Sequence, residues 1–151
     1  SQSLCLLETL ANIRLKNIFG QRLKIQQEER NEEVFLYEQI RYSEIGEDGN
    51  LTLPGLINYF QDCSTFQSEA IGEGVAELKK RGCAWVLSAW QIHVRRYPSL
   101  GEAVKITTWA SGFKGFLGMR NFTMETEDGE MLACANSIWS YVNMETGHPV
   151  R

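Results

Sequence analysis

The fold is decided by residues 40–54, which read IRYSEIGEDGNLTLP and connect a predicted strand to a long predicted helix. The glycine, aspartate and asparagine in the middle of this stretch are typical of a turn. Pro54 follows at a position typical of the first helical turn, where the amide hydrogen that proline lacks would have no partner. Around and beyond it, apolar residues recur at helical spacing, namely Leu53, Leu56, Ile57, Phe60, Cys63, Ala70 and Ile71. The sequence therefore predicts an amphipathic helix over about residues 54–71.

The remainder of the chain predicts strands and a short second helix. Residues 34–42 form the first predicted strand, and residues 73–81 a short helical turn that Gly82 closes. Further strands are predicted over residues 83–97, 103–112, 116–126 and 131–144, with the hairpin turn Asp128-Gly129 between the last two. Alternation along residues 83–97 assigns one face to Val86, Trp90, Ile92 and Val94, and the other to Trp85, Leu87, Ala89, Gln91 and His93.

One long helix and several alternating strands predict an α+β fold in which an antiparallel sheet wraps around one long central helix. This arrangement buries the apolar face of the helix against one face of the sheet. It is the hotdog fold, and we expect a single hotdog domain over residues 34–151. Residues 1–33 have an imperfect apolar face and are predicted to form an amino-terminal helical arm and linker. Contact of a basic amphipathic segment with a membrane surface is the alternative for this arm.

Composition excludes several classes of function. The 151 residues suffice for one domain with a sizeable core. The formal net charge of −4 argues against a nucleic-acid platform, which normally presents a basic face. No stretch reaches the roughly 20 apolar residues of a membrane span. The four cysteines form no CxxC pair, so the sequence predicts neither a metal site nor a cofactor, and unpaired cysteines agree with a cytoplasmic location.

Three stretches of the chain resemble the amino-terminal part of the acyl-acyl-carrier-protein thioesterases. They are residues 41–72, RYSEIGEDGNLTLPGLINYFQDCSTFQSEAIG, residues 86–122, VLSAWQIHVRRYPSLGEAVKITTWASGFKGFLGMRNF, and residues 133–151, ACANSIWSYVNMETGHPVR. The helix, the strand leading to Tyr97-Pro98, the segment Ile106-Thr107-Thr108-Trp109 and the ending from Ser140 follow the order and spacing of that family. The resemblance covers about residues 37–151.

The resemblance implies a hydrolase that releases free fatty acid from acyl carrier protein. Members of that family contain two hotdogs in one chain, and this sequence matches the first. The family's catalytic motif, of the type Asp-x-Asn-x-His-Val-Asn-Asn with a later Glu or Cys, belongs to the second hotdog. Neither His93 nor His148 lies in such a motif, so no catalytic residue is carried over. We expect this half to contribute the acyl pocket and the interface with the second half, and to hydrolyse thioesters poorly alone.

Candidate catalytic groups lie at the start of the predicted helix and along it. The amides of Gly55 and Leu56 could donate to an oxyanion, although proline followed by glycine is also ordinary chemistry for a helix start. When the helix starts are aligned, Glu47 falls nearest the acid of single-hotdog thioesterases related to the 4-hydroxybenzoyl-CoA enzyme. Asp62 could act as a general base if it were partly buried. The alternatives are a solvated turn for Glu47 and an exposed helix acid for Asp62.

Large apolar side chains indicate where an acyl chain would bind. Four of them, Phe60, Trp85, Trp90 and Trp109, are predicted to border a gap between helix and sheet, although most such residues also fill the core. Each buried methylene contributes about 0.8 kcal/mol, so the depth of the gap would select chain length. Acyl carrier protein is acidic, and Lys79-Lys80-Arg81 and Arg95-Arg96 are the candidate docking groups, or else ordinary solvated charges.

Two other functions stay open at this stage. The chain could be a stand-alone acyl-CoA thioesterase, active as a homodimer, with its acid drawn from Glu44, Glu47 or Asp62. It could also be a non-catalytic acyl-binding or assembly module. In every case a hotdog sheet is expected to pair with another hotdog, either a second half or a second copy of the chain.

Overall fold

The computed structural model describes residues 33–150. In chain order the elements are β1 (Val34–Gln39), a 3-10 turn (Tyr42–Glu44), α1 (Leu53–Ala70), α2 (Val75–Lys80), β2 (Cys83–Val94), β3 (Ala103–Lys114), β4 (Leu117–Thr126) and β5 (Met131–Asn143). The predicted arm over residues 1–33 lies outside the described residues, apart from Glu33.

The helix α1 begins where the sequence predicts, because its first turn is capped by a side chain. Thr52 is the N-cap residue, and its Oγ1 accepts a hydrogen bond from the amide of Gly55 at 3.1 Å. The carbonyl of Thr52 accepts the amide of Leu56 at 2.9 Å, and Pro54 lies in the first turn. Asp48 closes the preceding turn by accepting the amide of Asn50 at 3.0 Å.

The sheet has the strand order β1-β3-β4-β5-β2, and all neighbouring strands are antiparallel. The first half of α1 packs against its inner face. The residues fully buried between them include Leu56, Tyr59, Phe60 and Cys63 from the helix and Val104, Ile106, Phe122, Met124 and Ala133 from the strands. This is the predicted α+β arrangement of one long helix on an antiparallel sheet.

Strand β1 ends three residues earlier than predicted because the backbone turns toward α1. The hydroxyl of Tyr59, which is fully buried, donates to the carbonyl of Gln39 at 3.2 Å and accepts the amide of Arg41 at 3.0 Å. The amide of Arg41 is therefore bonded to the helix and not to a strand. A single side chain thus attaches the end of β1 to α1.

The predicted assignment of faces in the strand over residues 83–97 is wrong in its first half. The register of β2 against β5 shifts between Leu87 and Ala89. Leu87 pairs with Trp139 and Trp90 with Ser137, so Leu87 and Trp90 share the inner face. Trp85 is on that face too, whereas Val86 points outward and is 47% exposed. A strict alternation cannot anticipate the extra residue of a bulge.

Replacing Tyr59 with phenylalanine tests the attachment of β1 to α1. The change removes both hydrogen bonds of the Tyr59 hydroxyl, so we expect the free energy of unfolding to fall by about 1–3 kcal/mol. Urea denaturation measures this change. Tyr37→Phe is the matched control, because Tyr37 is 72% exposed and should tolerate the loss. Equal effects of the two substitutions would contradict the assigned role of Tyr59.

Candidate functional site

An open cavity of about 820 Å³ lies between the second half of α1, helix α2 and one end of the sheet. The helix α1 contributes small polar side chains to its wall, namely Ser64, Thr65 and Ser68. The sheet contributes large apolar ones, chiefly Trp85, Phe113, Met119 and Trp139. The cavity is therefore amphipathic, with one polar and one aromatic wall.

The aromatic wall is built around a glycine in β4. A Cβ atom at Gly118 would lie 3.0 Å from the ring of Trp85, so glycine lets this ring lie close against the strand. The ring centroid of Trp85 is 4.9 Å from that of Tyr141 and 6.2 Å from that of Phe113. Phe113 is 70% exposed at the rim of the cavity. Of these rings, Trp85 and Phe113 line the cavity and form an apolar surface that an alkyl chain could contact.

The short helix α2 forms the side of the cavity nearest to solvent. Val75, Leu78 and Lys79 line the cavity, and no residue of α2 is buried. The carboxylate of Glu69, at the end of α1, accepts the amide of Val75 at 3.2 Å and so caps the start of α2. The Glu69 carboxylate lies so close to Gly74 that any side chain at position 74 would collide with it. The wall formed by α2 is thus positioned by α1.

A polar cluster separates the cavity from the apolar core. Arg120 lines the cavity, and its Nη1 donates to Oε1 of Gln67 and to Oγ1 of Thr108, the latter at 3.1 Å. Gln67 is 6% exposed and Thr108 fully buried. Behind Arg120, Ser137 Oγ donates to the Arg120 carbonyl at 3.0 Å and accepts from Trp139 Nε1 at 2.9 Å. Each of these side chains takes part in at least one hydrogen bond.

Cys63 lies on the core side of this cluster and is not suited to be a nucleophile. Burial raises the pKa of the Cys63 thiol to about 11, and the nearby positive charge of Arg120 only partly opposes this effect. A thiol with that pKa stays protonated at neutral pH. Cys63 is therefore a small buried residue of the core, which agrees with its place in the apolar series of the predicted helix.

The predicted aromatic residues fall in three different places. Trp85 lines the cavity. Phe60 and Trp90 lie in the core beyond the polar cluster. Phe60 is stacked against Phe122 at a centroid distance of 5.1 Å, and Trp90 is tilted against it at 5.2 Å. Trp109 lies on the outer face of the sheet, in a separate depression of about 490 Å³. The geometry therefore supports contact between Trp85 and a substrate in the cavity, but it does not support such a contact for Trp109.

The amides proposed at the helix start are already hydrogen-bonded. Gly55 donates to the Thr52 side chain and Leu56 to the Thr52 carbonyl, as described above. A Cβ atom at Gly55 would lie 2.8 Å from the carbonyl oxygen of Glu44, so packing alone accounts for the glycine. The geometry agrees with an ordinary helix start, which was the alternative to an oxyanion site.

The two predicted carboxylates lie outside the cavity. Glu47 is exposed in the turn before α1. Asp62 pairs with Arg41 at 3.8 Å, and both side chains are half exposed. The carboxylates that do line the cavity are Glu69, which caps α2, and Glu73, which pairs with Arg81. The sequence places Glu69 on the helix with Asp62, but it does not indicate that Glu69 and Glu73 meet at a cavity, because their position depends on how α2 folds back.

Two of the candidate docking arginines, Arg81 and Arg96, are paired with acids of the same chain. Arg96 donates to Glu102 at 2.8 and 3.0 Å and to Glu130 at 2.7 Å. Arg81 pairs with Glu73 and Glu77. These contacts reduce the positive potential that a carrier protein would meet. Lys79 remains at the cavity wall as a cation beside the opening. Of the histidines, His93 is buried and His148 exposed, and neither lines the cavity.

Comparison with known proteins gives consistent results for sequence and structure. The family model "Acyl-ACP thioesterase N-terminal domain" matches residues 32–151. An acyl-[acyl-carrier-protein] hydrolase of Cuphea viscosissima is 35% identical over 115 residues, which cover 71% of this chain and 28% of the relative. A palmitoyl-acyl carrier protein thioesterase of Gossypium hirsutum is 34% identical over the same coverage. The chain thus spans less than a third of the length of these curated relatives.

Solved structures confirm the hotdog fold. An oleoyl thioesterase (putative) from Lactobacillus plantarum superposes with a TM-score of 0.76 at 29% identity, covering 78% of this chain and 46% of that one. An acyl-ACP thioesterase from Bacteroides thetaiotaomicron also gives 0.76, at 26% identity, covering 81% and 50%. Among residues 33–150, no helix has the length and apolarity that crossing a bilayer requires.

The pairing of Arg96 predicts how stability responds to acid. Hydrogen bonding to Arg96 lowers the pKa of Glu102 below its ordinary value of 4.5. A lowered pKa in the folded state stabilises the protein above the unfolded pKa, and this contribution is lost as the pH falls through the folded value. Glu102→Gln should therefore lower the melting temperature at neutral pH and make its decline below about pH 4.5 shallower. Glu127→Gln, in the exposed hairpin turn, is the control. Parallel pH profiles for the wild type and Glu102→Gln would contradict this account.

Proposed function

Because the chain belongs to the acyl-ACP thioesterase family, we propose that it is the amino-terminal hotdog half of an enzyme that hydrolyses fatty acyl-acyl carrier protein to free fatty acid. The observation that carries the proposal is the match of the amino-terminal-domain model to residues 32–151. The relatives are named as hydrolases or thioesterases of acyl carrier protein, and their names specify dodecanoyl, palmitoyl and oleoyl chains. Fatty acid biosynthesis is the corresponding metabolic setting.

The cavity supports a role for this half in holding the acyl chain. Its aromatic wall offers Trp85, Phe113 and Trp139, and each methylene removed from water there would contribute about 0.8 kcal/mol. On the polar wall, Ser64 and Ser68 would lie beside the acyl chain or beside the polar pantetheine arm to which the acyl chain is attached. The binding energy of the acyl chain would then position the thioester for attack.

The catalytic groups are proposed to come from a second hotdog. Hydrolysis needs an activated water and donors for the oxyanion that develops on the carbonyl. In the described part of the chain, the carboxylates at the cavity are engaged in a cap and an ion pair, and the Cys63 thiol is protonated. The amides at the start of α1 are bonded to Thr52. This half therefore supports binding better than bond cleavage.

The edge of the sheet at β2 is the proposed contact with the second hotdog. β2 has 12 residues and pairs with β5 on one side, while the described residues place no strand on its other side. Val86, Ser88 and Gln91 are exposed along it. A long unpaired edge is a ready partner for another strand. The partner would be the second half or, in a dimer, a second copy of the chain.

A stand-alone homodimeric acyl-CoA thioesterase is the second candidate function. It would need an acid from Glu44, Glu47 or Asp62, and the ion pair of Asp62 with Arg41 offers one positioned carboxylate. A non-catalytic acyl-binding module is the third, and the cavity alone would be sufficient for it. A cytoplasmic location stays a prediction, and the curated plant relatives are named as chloroplastic.

The activity of the isolated chain separates these candidates. We expect residues 1–151 to bind acyl-pantetheine, seen as a rise in melting temperature, but to release almost no free thiol from acyl-ACP or acyl-CoA. Steady turnover that Glu47→Gln or Asp62→Asn abolishes, and that the control Glu127→Gln leaves unchanged, would favour the stand-alone enzyme instead.

A chimera tests the hydrolase assignment itself. The chain replaces the matching half of the acyl-ACP thioesterase from Bacteroides thetaiotaomicron, and hydrolysis of acyl-ACP is measured. We expect a folded chimera to release fatty acid, because the second half supplies the catalytic groups. A folded chimera that binds acyl-ACP without releasing fatty acid would support the non-catalytic module.

A further inference from the structure

Arg120 occupies the boundary between the cavity and the packed core. On the inner face of β4 it lies between Gly118, which lines the cavity, and Phe122, which is 1% exposed in the core. Its neighbours across the sheet are Ala110 on β3 and Ser137 on β5. Ala110, Arg120 and Ser137 thus form a row across three strands. The cavity lies on one side of this row, and fully buried apolar residues lie on the other. A chain that entered from the opening would reach Arg120 before the core.

The guanidinium of Arg120 is held in this position from the core side. Gln67 and Thr108 accept its hydrogen bonds, and neither of these two residues lines the cavity. Both are almost completely buried. An alkyl chain that pushed past Arg120 would have to break these bonds where water cannot replace them, which opposes the gain from burying further methylenes.

We propose that Arg120 is the specificity-determining residue that sets how deep an acyl chain enters the cavity. The proposal rests on the proposed function, because it takes the cavity to be the acyl site. Methylenes up to the guanidinium add contact with the aromatic wall, and each raises affinity about fourfold. Methylenes beyond it add nothing, since they must displace the charged group or stay outside. The terminal methyl of the preferred chain therefore lies against Arg120.

A series of saturated acyl-pantetheines, each two methylenes longer than the last, measures how deep an acyl chain enters the cavity of the 151-residue protein. The affinity, measured by calorimetry, should rise about fifteenfold per step and then stop rising. The acyl length at which it stops rising is the break length. Arg120→Met, which has a long apolar side chain without charge, should move this break to longer chains. Arg96→Met is the matched control, because Arg96 pairs with Glu102 and Glu130 away from the cavity. It should leave the break in place.

A second measurement needs no substitution and so does not depend on how a variant folds. Acyl chains that end in a carboxylate are compared with methyl-ended chains of the same length in the wild-type protein. The carboxylate should improve affinity at the break length, where it reaches the guanidinium, and weaken binding at shorter lengths, where it meets the aromatic wall. High salt should reduce the improvement.

The outcomes distinguish this proposal from the function on which it rests. A break that Arg120→Met leaves unchanged, or the absence of a carboxylate gain at every length, would overturn the role of Arg120 while the cavity remained an acyl site. Failure of every chain to bind would overturn the acyl cavity and the role of Arg120 together.

Discussion

The architecture depends on a mismatch between the length of one helix and the length of the strands that it covers. The 18 residues of α1 span about 27 Å, whereas strands β2, β3 and β5, of 12 to 13 residues, each span about 40 Å. The helix can therefore bury only part of the inner face of the sheet. Beyond the end of the helix, the sheet would expose Trp85, Phe113 and Trp139. The cavity occupies this region, and α2 extends the cover over it.

The helix is accordingly divided into two functional halves. Its first half is apolar toward the sheet and closes the core, with Tyr59 bonding the end of β1. Its second half presents Ser64, Gln67 and Ser68, and Gln67 meets Arg120 at the transition. Placing a partly buried arginine beside the core is costly unless it is hydrogen-bonded, and here two buried acceptors bind its Nη1. A polar boundary of this kind keeps the core closed while the cavity stays available to a ligand.

Much of the fold could be predicted from the sequence, because its signals are local. The N-cap at Thr52, Pro54 and the apolar spacing determine where α1 begins, and the turn residues separate the strands. The polar cluster left no such signal, because Phe66 continues the apolar spacing of α1 between Cys63 and Ala70. The bulge in β2 and the outward position of Trp109 could not be predicted, because they depend on pairing between strands distant in sequence. Likewise, the engagement of Glu69 depends on the path of the chain after α1.

The central claim is that an acyl chain binds between the second half of α1 and the sheet, and photo-crosslinking tests it most directly. An acyl-pantetheine that carries a diazirine near the end of its chain is irradiated with the protein, and the labelled peptides are identified by mass spectrometry. The account predicts labels on the cavity wall, at Trp85, Phe113 or Met119. Labels confined to the depression on the outer face, at Phe35 or Trp109, would contradict it.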